Sequence, residues 1–168
     1  MQASPTVRTF ASYEWRTYRE LRLRALLDSP DAFGSTLAAE QASSDEQWSA
    51  RLARGVACNT DIALAAELND RLVGLAWVKI EALDQGVAHL YQMWVAPNFR
   101  RRGAGRALLG AAIDWAKASS AQALVLAVTC GDTPASRLYA GAGFRCIGAP
   151  EPLRPGSSVL AQTMRLEL

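Results

Sequence analysis

One short segment, residues 95–109 (VAPNFRRRGAGRALL), constrains the fold more than any other part of the chain. An apolar, strand-like run ends before Pro97, three arginines and two glycines follow, and a helical pattern begins at Ala104. A strand that runs directly into a helix leaves up to four backbone N–H groups without partners at the helix start. The segment therefore predicts a fold in which strands and helices alternate, with a helix N-terminus open to a ligand.

Hydrophobic periodicity predicts the elements on both sides of this segment. The predicted strands cover residues 6–10, 62–68, 72–80, 89–95, 124–128, 144–147 and 158–166, and Asn69-Asp70 between the second and third strands indicates a hairpin turn. The predicted helices cover residues 13–27, 44–55, 104–118 and 134–140, and a proline-rich loop is expected over residues 148–158. The order β-α-α-β-β-β-α-β-α-β-β predicts an α/β (α+β) fold, a mixed sheet with helices packed against it.

Composition limits the classes of protein that remain. The 168 residues suit a single domain, 1–168, and the formal net charge of +2 gives no basic field of the kind that binds nucleic acid. The apolar runs are too short for a membrane span, and the first residues do not read as a signal peptide. Three widely spaced cysteines form no metal or redox motif. We expect a cytoplasmic protein with no nucleic-acid partner, no membrane partner and no metal.

The arginine–glycine turn has the chemistry of a pyrophosphate site. Gly103 and Gly105 leave the backbone bare, the helix dipole adds positive charge, and guanidinium groups grip phosphate oxygens in pairs. The arginines that would supply this charge are Arg100, Arg101, Arg102 and Arg106. A solvated basic surface is the plain alternative. Dinucleotide and mononucleotide loops fit less well, because the glycine spacing and the Gly-Lys-Ser/Thr motif that they need are absent.

Two segments, residues 100–105 (RRRGAG) and residues 132–144 (DTPASRLYAGAGF), resemble the signature motifs of the GNAT superfamily of acyl-CoA-dependent N-acyltransferases. The first matches its R/Q-x-x-G-x-G/A signature, and the second matches its N-x-x-A-x-x-L-Y-x-x-x-G-F segment, with Asp132 where asparagine is usual. The resemblance implies one N-acetyltransferase domain with a mostly antiparallel central sheet and acetyl-CoA as co-substrate. By position, the implied cofactor contacts are Met93, Trp94 and Val95 through their backbone, Arg100, Arg101, Arg102, Gly103, Ala104, Gly105, Arg106, Asp132 and Tyr139.

The resemblance also implies catalytic roles. Tyr139 is the expected general acid, because a phenol can donate a proton to the departing CoA thiolate; a lone helical tyrosine is otherwise usually a packing residue. His89 stands where relatives often carry a glutamate, and an imidazole could take the proton of the amine. Packing at the strand edge explains His89 equally well. Glu81 and Glu40 are weaker candidates for the base.

The implied reaction is direct attack of a primary amine on acetyl-CoA through a tetrahedral intermediate. The acceptor, a small molecule or a peptide, would lie near residues 29–36 and 150–156, with Trp48, Trp77 and Tyr91 as an aromatic wall. A catalytically inactive acyl-CoA-binding regulatory module is the main alternative, and a purely structural domain is a second one. Look-alikes often form homodimers, so a homodimer is also possible.

Overall fold

The computed structural model describes residues 3–84 and 86–168 and contains one seven-stranded sheet with helices on both faces. The strands are β1 (Thr6–Thr9), β2 (Asp61–Leu68), β3 (Arg71–Ile80), β4 (Val87–Val95), β5 (Ala123–Thr129), β6 (Arg145–Pro152) and β7 (Leu160–Glu167). The helices are α1 (Trp15–Asp28), α2 (Leu37–Gln41), α3 (Asp45–Ala57), α4 (Ala104–Ala118) and α5 (Pro134–Gly141).

The strand order across the sheet is β1-β2-β3-β4-β5-β7-β6. Every neighbouring pair is antiparallel except β4 and β5, which are parallel because α4 connects them. The predicted mixed, mostly antiparallel sheet is therefore confirmed. So is the hairpin turn: Asn69 (φ 52°) and Asp70 (φ 57°) both take the left-handed conformation that a two-residue turn between twisted strands requires.

Two apolar clusters cover the two faces of the sheet. On one face α4 buries Ala104, Leu108, Leu109, Ala112 and Ala116, and Tyr139 of α5 joins the same cluster. On the other face α1 and α3 cover β2–β4, with Tyr18, Trp48 and Trp77 at the centre. We call these the α4 face and the α3 face. No helix in the described ranges is long and apolar enough to cross a membrane.

Two parts of the predicted pattern are wrong. The short helix α2 was not predicted, because five residues are too few to show a helical period. Thr36 caps it by accepting a hydrogen bond from the Ala39 N–H at 3.2 Å. The predicted loop over residues 148–158 is shorter, since β6 continues through Pro152 after a break in its register beyond Ile147. Prolines are tolerated there because β6 is an edge strand.

Candidate active site

The sheet divides at the parallel pair. β4 and β5 are paired only at Val87–Ala123, Ala88–Leu124 and His89–Val125. Within the described ranges the pairing stops there, although β5 remains paired to β7 as far as Thr129. Residues 90–95 of β4 and 126–129 of β5 therefore move apart, and we call the gap between them the fork. The fork leaves β4 backbone groups free to pair with a ligand.

A bulge at Gln92 sets which side chains face the fork. Gln92 has a φ of 58°, and the register of β4 against β3 shifts between Leu75 and Trp77. The Tyr18 hydroxyl donates a hydrogen bond to Gln92 Oε1 at 2.7 Å, which holds the bulge from the α3 face. The extra residue turns Met93 towards the α4 face. No pattern in the sequence had indicated this bulge.

The three residues predicted to contact the cofactor through their backbone lie on the open stretch of β4. The side chains of Met93 and Val95 pack against the α4-face cluster, and that of Trp94 is buried on the α3 face. The Trp94 indole N–H donates to Asp28 Oδ2 at 2.9 Å, at the end of α1. All three side chains have packing roles, so only their backbone is left to face the fork.

The turn after β4 is built as an anion site requires. Gly103, at the N-cap of α4, has a φ of 89° and no capping side chain, and Arg101 also has a positive φ of 60°. The first helical hydrogen bond runs from the Ala107 N–H to the Gly103 carbonyl at 2.9 Å. In the described part of the chain, the N–H groups of residues 104–106 have no backbone acceptor. These N–H donors and the positive end of the helix dipole therefore lie together at the N-terminus of α4.

The arginines of the turn divide into two groups. Arg100 is tied inwards: its Nε donates to the Val95 carbonyl at 2.8 Å and its Nη2 contacts Asp28 Oδ2 at 2.6 Å. Arg101, Arg102 and Arg106 are exposed, and none of the three forms an ion pair with a residue in the described ranges. Arg100 thus braces the turn, whereas the other three are free to meet an anion.

Tyr139 lies on the α4 face, next to the turn. A Cβ built on Gly105 would lie 3.5 Å from Leu138 and 3.9 Å from Met93, so α5, the turn and β4 meet there. The Tyr139 ring is 7 % exposed and packs 5.9 Å from the ring of Phe144. Burial raises the pKa of Tyr139 to about 12. Its hydroxyl has no hydrogen-bond partner among residues 3–84 and 86–168, and it is not sealed from solvent.

His89 lies at the point where the fork begins. It is the last residue of β4 that pairs with β5, and its imidazole stacks on Tyr91 with ring centroids 6.1 Å apart and planes 14° from parallel. Residues alternate along a strand, so His89 and Tyr91 face the α3 side, opposite Ala88 and Leu90. His89 and Tyr139 therefore lie on opposite faces of the sheet.

Asp132 stands before α5 but does not cap it. Thr133 is the N-cap, with its Oγ1 accepting from the Ser136 N–H at 3.1 Å. Asp132 is exposed and its carboxylate contacts Arg137 Nη1 at 2.7 Å. Thr133 takes the cap because it directly precedes Pro134, the residue at which α5 begins. The pairing with Arg137 means that the negative charge of Asp132 is already matched.

The two weaker candidates for the base have partners of their own. Glu81 pairs with Lys79 at 3.2 Å. Glu40 is buried between two arginines, 2.6 Å from Arg51 and 3.6 Å from Arg22. Burial opposes its charged form, but the hydrogen bond and charge of Arg51, with the charge of Arg22, hold the pKa of Glu40 below its ordinary value. A carboxylate held in this way is a poor proton acceptor.

Three buried N–H groups near Glu40 lack acceptors in the described part of the chain: Arg22 Nε, Arg22 Nη1 and Trp48 Nε1. Arg22 is 4 % exposed, and its guanidinium lies 4.7 Å from the centre of the Phe33 ring. Each unsatisfied buried donor costs about 1–3 kcal/mol. The sequence does not reveal this cluster, because its members come from three separate helices.

A cleft of about 670 Å³ opens on the α3 face, between α3 and the strands β2–β4. Of the predicted aromatic wall, Trp77 and Tyr91 line it, whereas Trp48 is fully buried in the core. The cleft reaches the bulge of β4, at the edge of the fork. It is lined by Glu40, Arg51, Arg54, Cys58, Thr60, Asp61, Trp77, Lys79, Glu81, Tyr91 and Gln92.

The two loops expected to border the acceptor site meet through one arginine. Arg154, between β6 and β7, donates to the Phe33 carbonyl at 2.6 Å and to the Pro30 carbonyl at 3.3 Å. The Thr129 hydroxyl, at the end of β5, donates to the Asp31 carbonyl. These hydrogen bonds fix the loop after α1 across the open end of the fork. Nothing in the sequence singled out Arg154.

With this geometry established, comparison with known proteins is decisive. A sequence model of the acetyltransferase (GNAT) family matches residues 15–144, more than half of the chain. The chain belongs to the GNAT acetyltransferase family. The match includes the fork, the Gly103 turn and α5, so the family membership inferred from the two sequence motifs is confirmed.

Solved GNAT structures share the whole fold. The chain superimposes on a GNAT-family acetyltransferase from Streptococcus pneumoniae with a TM-score of 0.80 at 19 % identity, over 98 % of this chain and 100 % of that one. A putative acetyltransferase from Salmonella typhimurium, solved with acetyl-CoA, gives 0.78 at 20 % identity, with coverages of 98 % and 94 %. The spermidine N-acetyltransferase of Vibrio cholerae, solved with CoA and spermine, gives 0.77 at 18 %, with coverages of 98 % and 95 %.

Sequence relatives match over a shorter length. The mycothiol acetyltransferase of Clavibacter michiganensis is 37 % identical over 84 residues, which are 50 % of this chain and 26 % of that protein. The corresponding protein of Renibacterium salmoninarum is 32 % identical over 84 residues, 48 % of this chain and 25 % of its own length. The chain thus spans about a quarter of these relatives.

Proposed function

We propose that this acetyltransferase moves an acetyl group from acetyl-CoA to a primary amine. One observation carries the proposal: the fork and the uncapped Gly103 turn lie on one continuous stretch of chain, from β4 into α4. Extended backbone at residues 93–95 is suited to the amides of pantetheine, as an added strand would be. The N–H groups of residues 104–106 are suited to the pyrophosphate that follows it.

The residues of the turn fit a diphosphate in charge as well as in shape. Arg101, Arg102 and Arg106 are exposed beside the open N–H groups and would hold the phosphate oxygens. Arg100 would act as a brace that fixes the turn to Val95 and α1. Asp132 would tolerate a nearby phosphate, since Arg137 already matches its charge. Ala104, which is buried, would contribute through its backbone alone.

The two sides of the fork supply the two proton transfers. Acetyl-CoA would bring a thioester, whose carbonyl carbon accepts the amine and whose sulfur leaves. Tyr139 stays protonated at neutral pH because its pKa is about 12, so its hydroxyl can give a proton to the departing sulfur. His89, on the α3 face beside Tyr91 of the cleft, would take the proton of the attacking amine, directly or through water.

The direct test is release of free CoA thiol from acetyl-CoA by the purified protein, measured with a panel of primary amines. We expect thiol release that depends on the amine, together with a product heavier than the amine by one acetyl group. Binding of acetyl-CoA without release by any amine would reject the transferase function and leave an acyl-CoA-binding regulatory module. Absence of binding would reject the pyrophosphate site itself.

A glycine substitution tests the turn. Gly103→Ala should weaken acetyl-CoA binding about fivefold to thirtyfold, because a side chain at φ 89° costs about 1–2 kcal/mol and the turn must relax. Space is not the cause, since the nearest atom to an added Cβ is Pro5 Cγ at 3.6 Å. Titration calorimetry with acetyl-CoA measures the effect.

The matched control is Gly110→Ala, in the middle of the same helix, where an added Cβ meets nothing within 4 Å. It should leave the affinity unchanged and raise helix stability slightly. Equal affinities for Gly103→Ala and the unmodified protein would show that the turn does not hold the cofactor.

A further inference from the structure

The side of the cleft that is formed by α3 carries positive charge. Arg51 and Arg54 are three residues apart on α3, so their side chains lie on one side of the helix, and both line the cleft. Arg51 is paired with Glu40 at 2.6 Å. Arg54 is exposed and forms no ion pair with any residue in the described ranges.

A buried arginine behind Arg51 adds charge that the protein does not match. Arg22 shares the Glu40 carboxylate with Arg51, so two guanidinium groups face one carboxylate. A guanidinium does not release its proton in a folded protein, so this trio keeps a net charge of plus one. Two Arg22 nitrogens also lack acceptors among residues 3–84 and 86–168. With Arg54, this wall carries an unmatched positive charge of about two.

The floor of the cleft is acidic. Asp61, Lys79 and Glu81 line it, with Lys79 placed between two carboxylates: it pairs with Glu81 at 3.2 Å and lies opposite Asp61 in the register of β2 and β3. One lysine and two carboxylates leave a net charge of minus one. In the register of β3 and β4, Lys79 lies opposite His89, where the fork begins. The cleft therefore has a positive wall on α3 and a negative floor that leads towards the fork.

We propose that the acceptor is an amino carboxylate, whose carboxylate binds Arg51 and Arg54 and whose amine lies over the floor towards His89. This inference rests on the proposed acetyl transfer and gives it a substrate class. A carboxylate between two guanidiniums is a strong, geometrically defined contact, and it would match the charge left by Arg22. A polyamine would place its second cation against the same arginines and be repelled.

The test compares matched amines as substrates of the purified 168-residue chain. The panel holds alanine, alaninamide and ethylamine, the corresponding phenylalanine series, and spermidine, each assayed by thiol release. We expect the acids to exceed their amides and parent amines by about tenfold to a hundredfold in kcat/KM, mainly through KM. Equal or better use of the amides, or of spermidine, would overturn the proposal.

Two substitutions locate the site. Arg54→Met, at an exposed position, should bring the acid-to-amide ratio of kcat/KM close to one, and Arg51→Met should act in the same direction. Arg19→Met is the matched control, because Arg19 pairs on the surface with Asp45 at 2.7 Å, outside the cleft; it should leave the ratio unchanged. An unchanged ratio in Arg54→Met and Arg51→Met would overturn the assignment.

A binding measurement separates this proposal from the proposed function. The CoA-saturated protein is titrated with phenylalanine and with phenylalaninamide. Suppose that the acid binds more tightly than the amide, that Arg54→Met abolishes this difference, and that acetyl-CoA releases no thiol with any amine. This result would support the carboxylate site and reject the transfer reaction. Thiol release with amines but no preference for the acid in either measurement would reject the carboxylate site and leave acetyl transfer standing.

Discussion

Tyr139→Phe is expected to lower kcat by about 10²–10⁴-fold and to change the affinity for acetyl-CoA little. The substitution removes the only polar atom of a side chain that is 7 % exposed, and the ring keeps its packing on Phe144. The departing thiolate would then have to leave without a positioned proton donor. Steady-state rates of thiol release at saturating substrates measure the loss, and calorimetry measures the affinity.

Tyr13→Phe serves as the matched control, since Tyr13 is 82 % exposed and should leave kcat unchanged. The pH profile adds an independent reading. Because the pKa of Tyr139 is about 12, ionisation of this phenol should cause no loss of rate below about pH 11. A kcat for Tyr139→Phe within twofold of the unmodified enzyme would show that another group, or water, protonates the thiolate.

Glu40→Gln is expected to lower the free energy of unfolding by about 3 kcal/mol, because it leaves the buried Arg22 and the partly buried Arg51 without a counter-charge. In a chain of this size the melting temperature should fall by about 10 °C. Chemical denaturation with urea gives the free energy, and a thermal scan gives the temperature. Glu20→Gln is the control: Glu20 is an exposed residue of α1, and its change should be within about 0.5 kcal/mol.

The same carboxylate should make the fold sensitive to acid. The folded pKa of Glu40 lies below its ordinary value of 4.5, so the folded state holds its proton less tightly than the unfolded state. Its contribution is therefore complete above pH 4.5 and is lost as the pH falls through the folded pKa. Unfolding measured between pH 7 and pH 3 should show this loss in the unmodified protein and not in Glu40→Gln. Parallel curves for the two proteins would contradict the ion-pair account.

Local chemistry explains why much of the fold could be predicted. The turn at Asn69-Asp70, the start of α4 after Gly103 and the apolar run of β5 each depend on a few adjacent residues. Features that depend on distant partners could not be predicted. α2 is too short to show a period, and the prolines of β6 look like a loop until the strand is known to be at the sheet edge.

In the candidate site too, features set by adjacent residues could be predicted and features set by distant partners could not. The Gly103 turn was predictable because its glycines and arginines are consecutive in the sequence. The bulge at Gln92 was not, since it is held by Tyr18, 74 positions away in the chain. Nor was the trio of Arg22, Glu40 and Arg51, whose members look like ordinary surface charges until the helices are packed together. The sequence also did not indicate that Arg100 pairs with Asp28 and so stabilises the turn.

β4 and β5 pair at only three positions. The sheet therefore consists of two halves that diverge from this short paired segment, which we call the hinge. Ala88 and Ala123 are fully buried at this hinge, and the Gln122 N–H closes its end by donating to the Gly86 carbonyl at 2.7 Å. We expect bulkier residues at Ala88 or Ala123 to change the angle between the half-sheets, so packing at the closed end should alter the width of the open end.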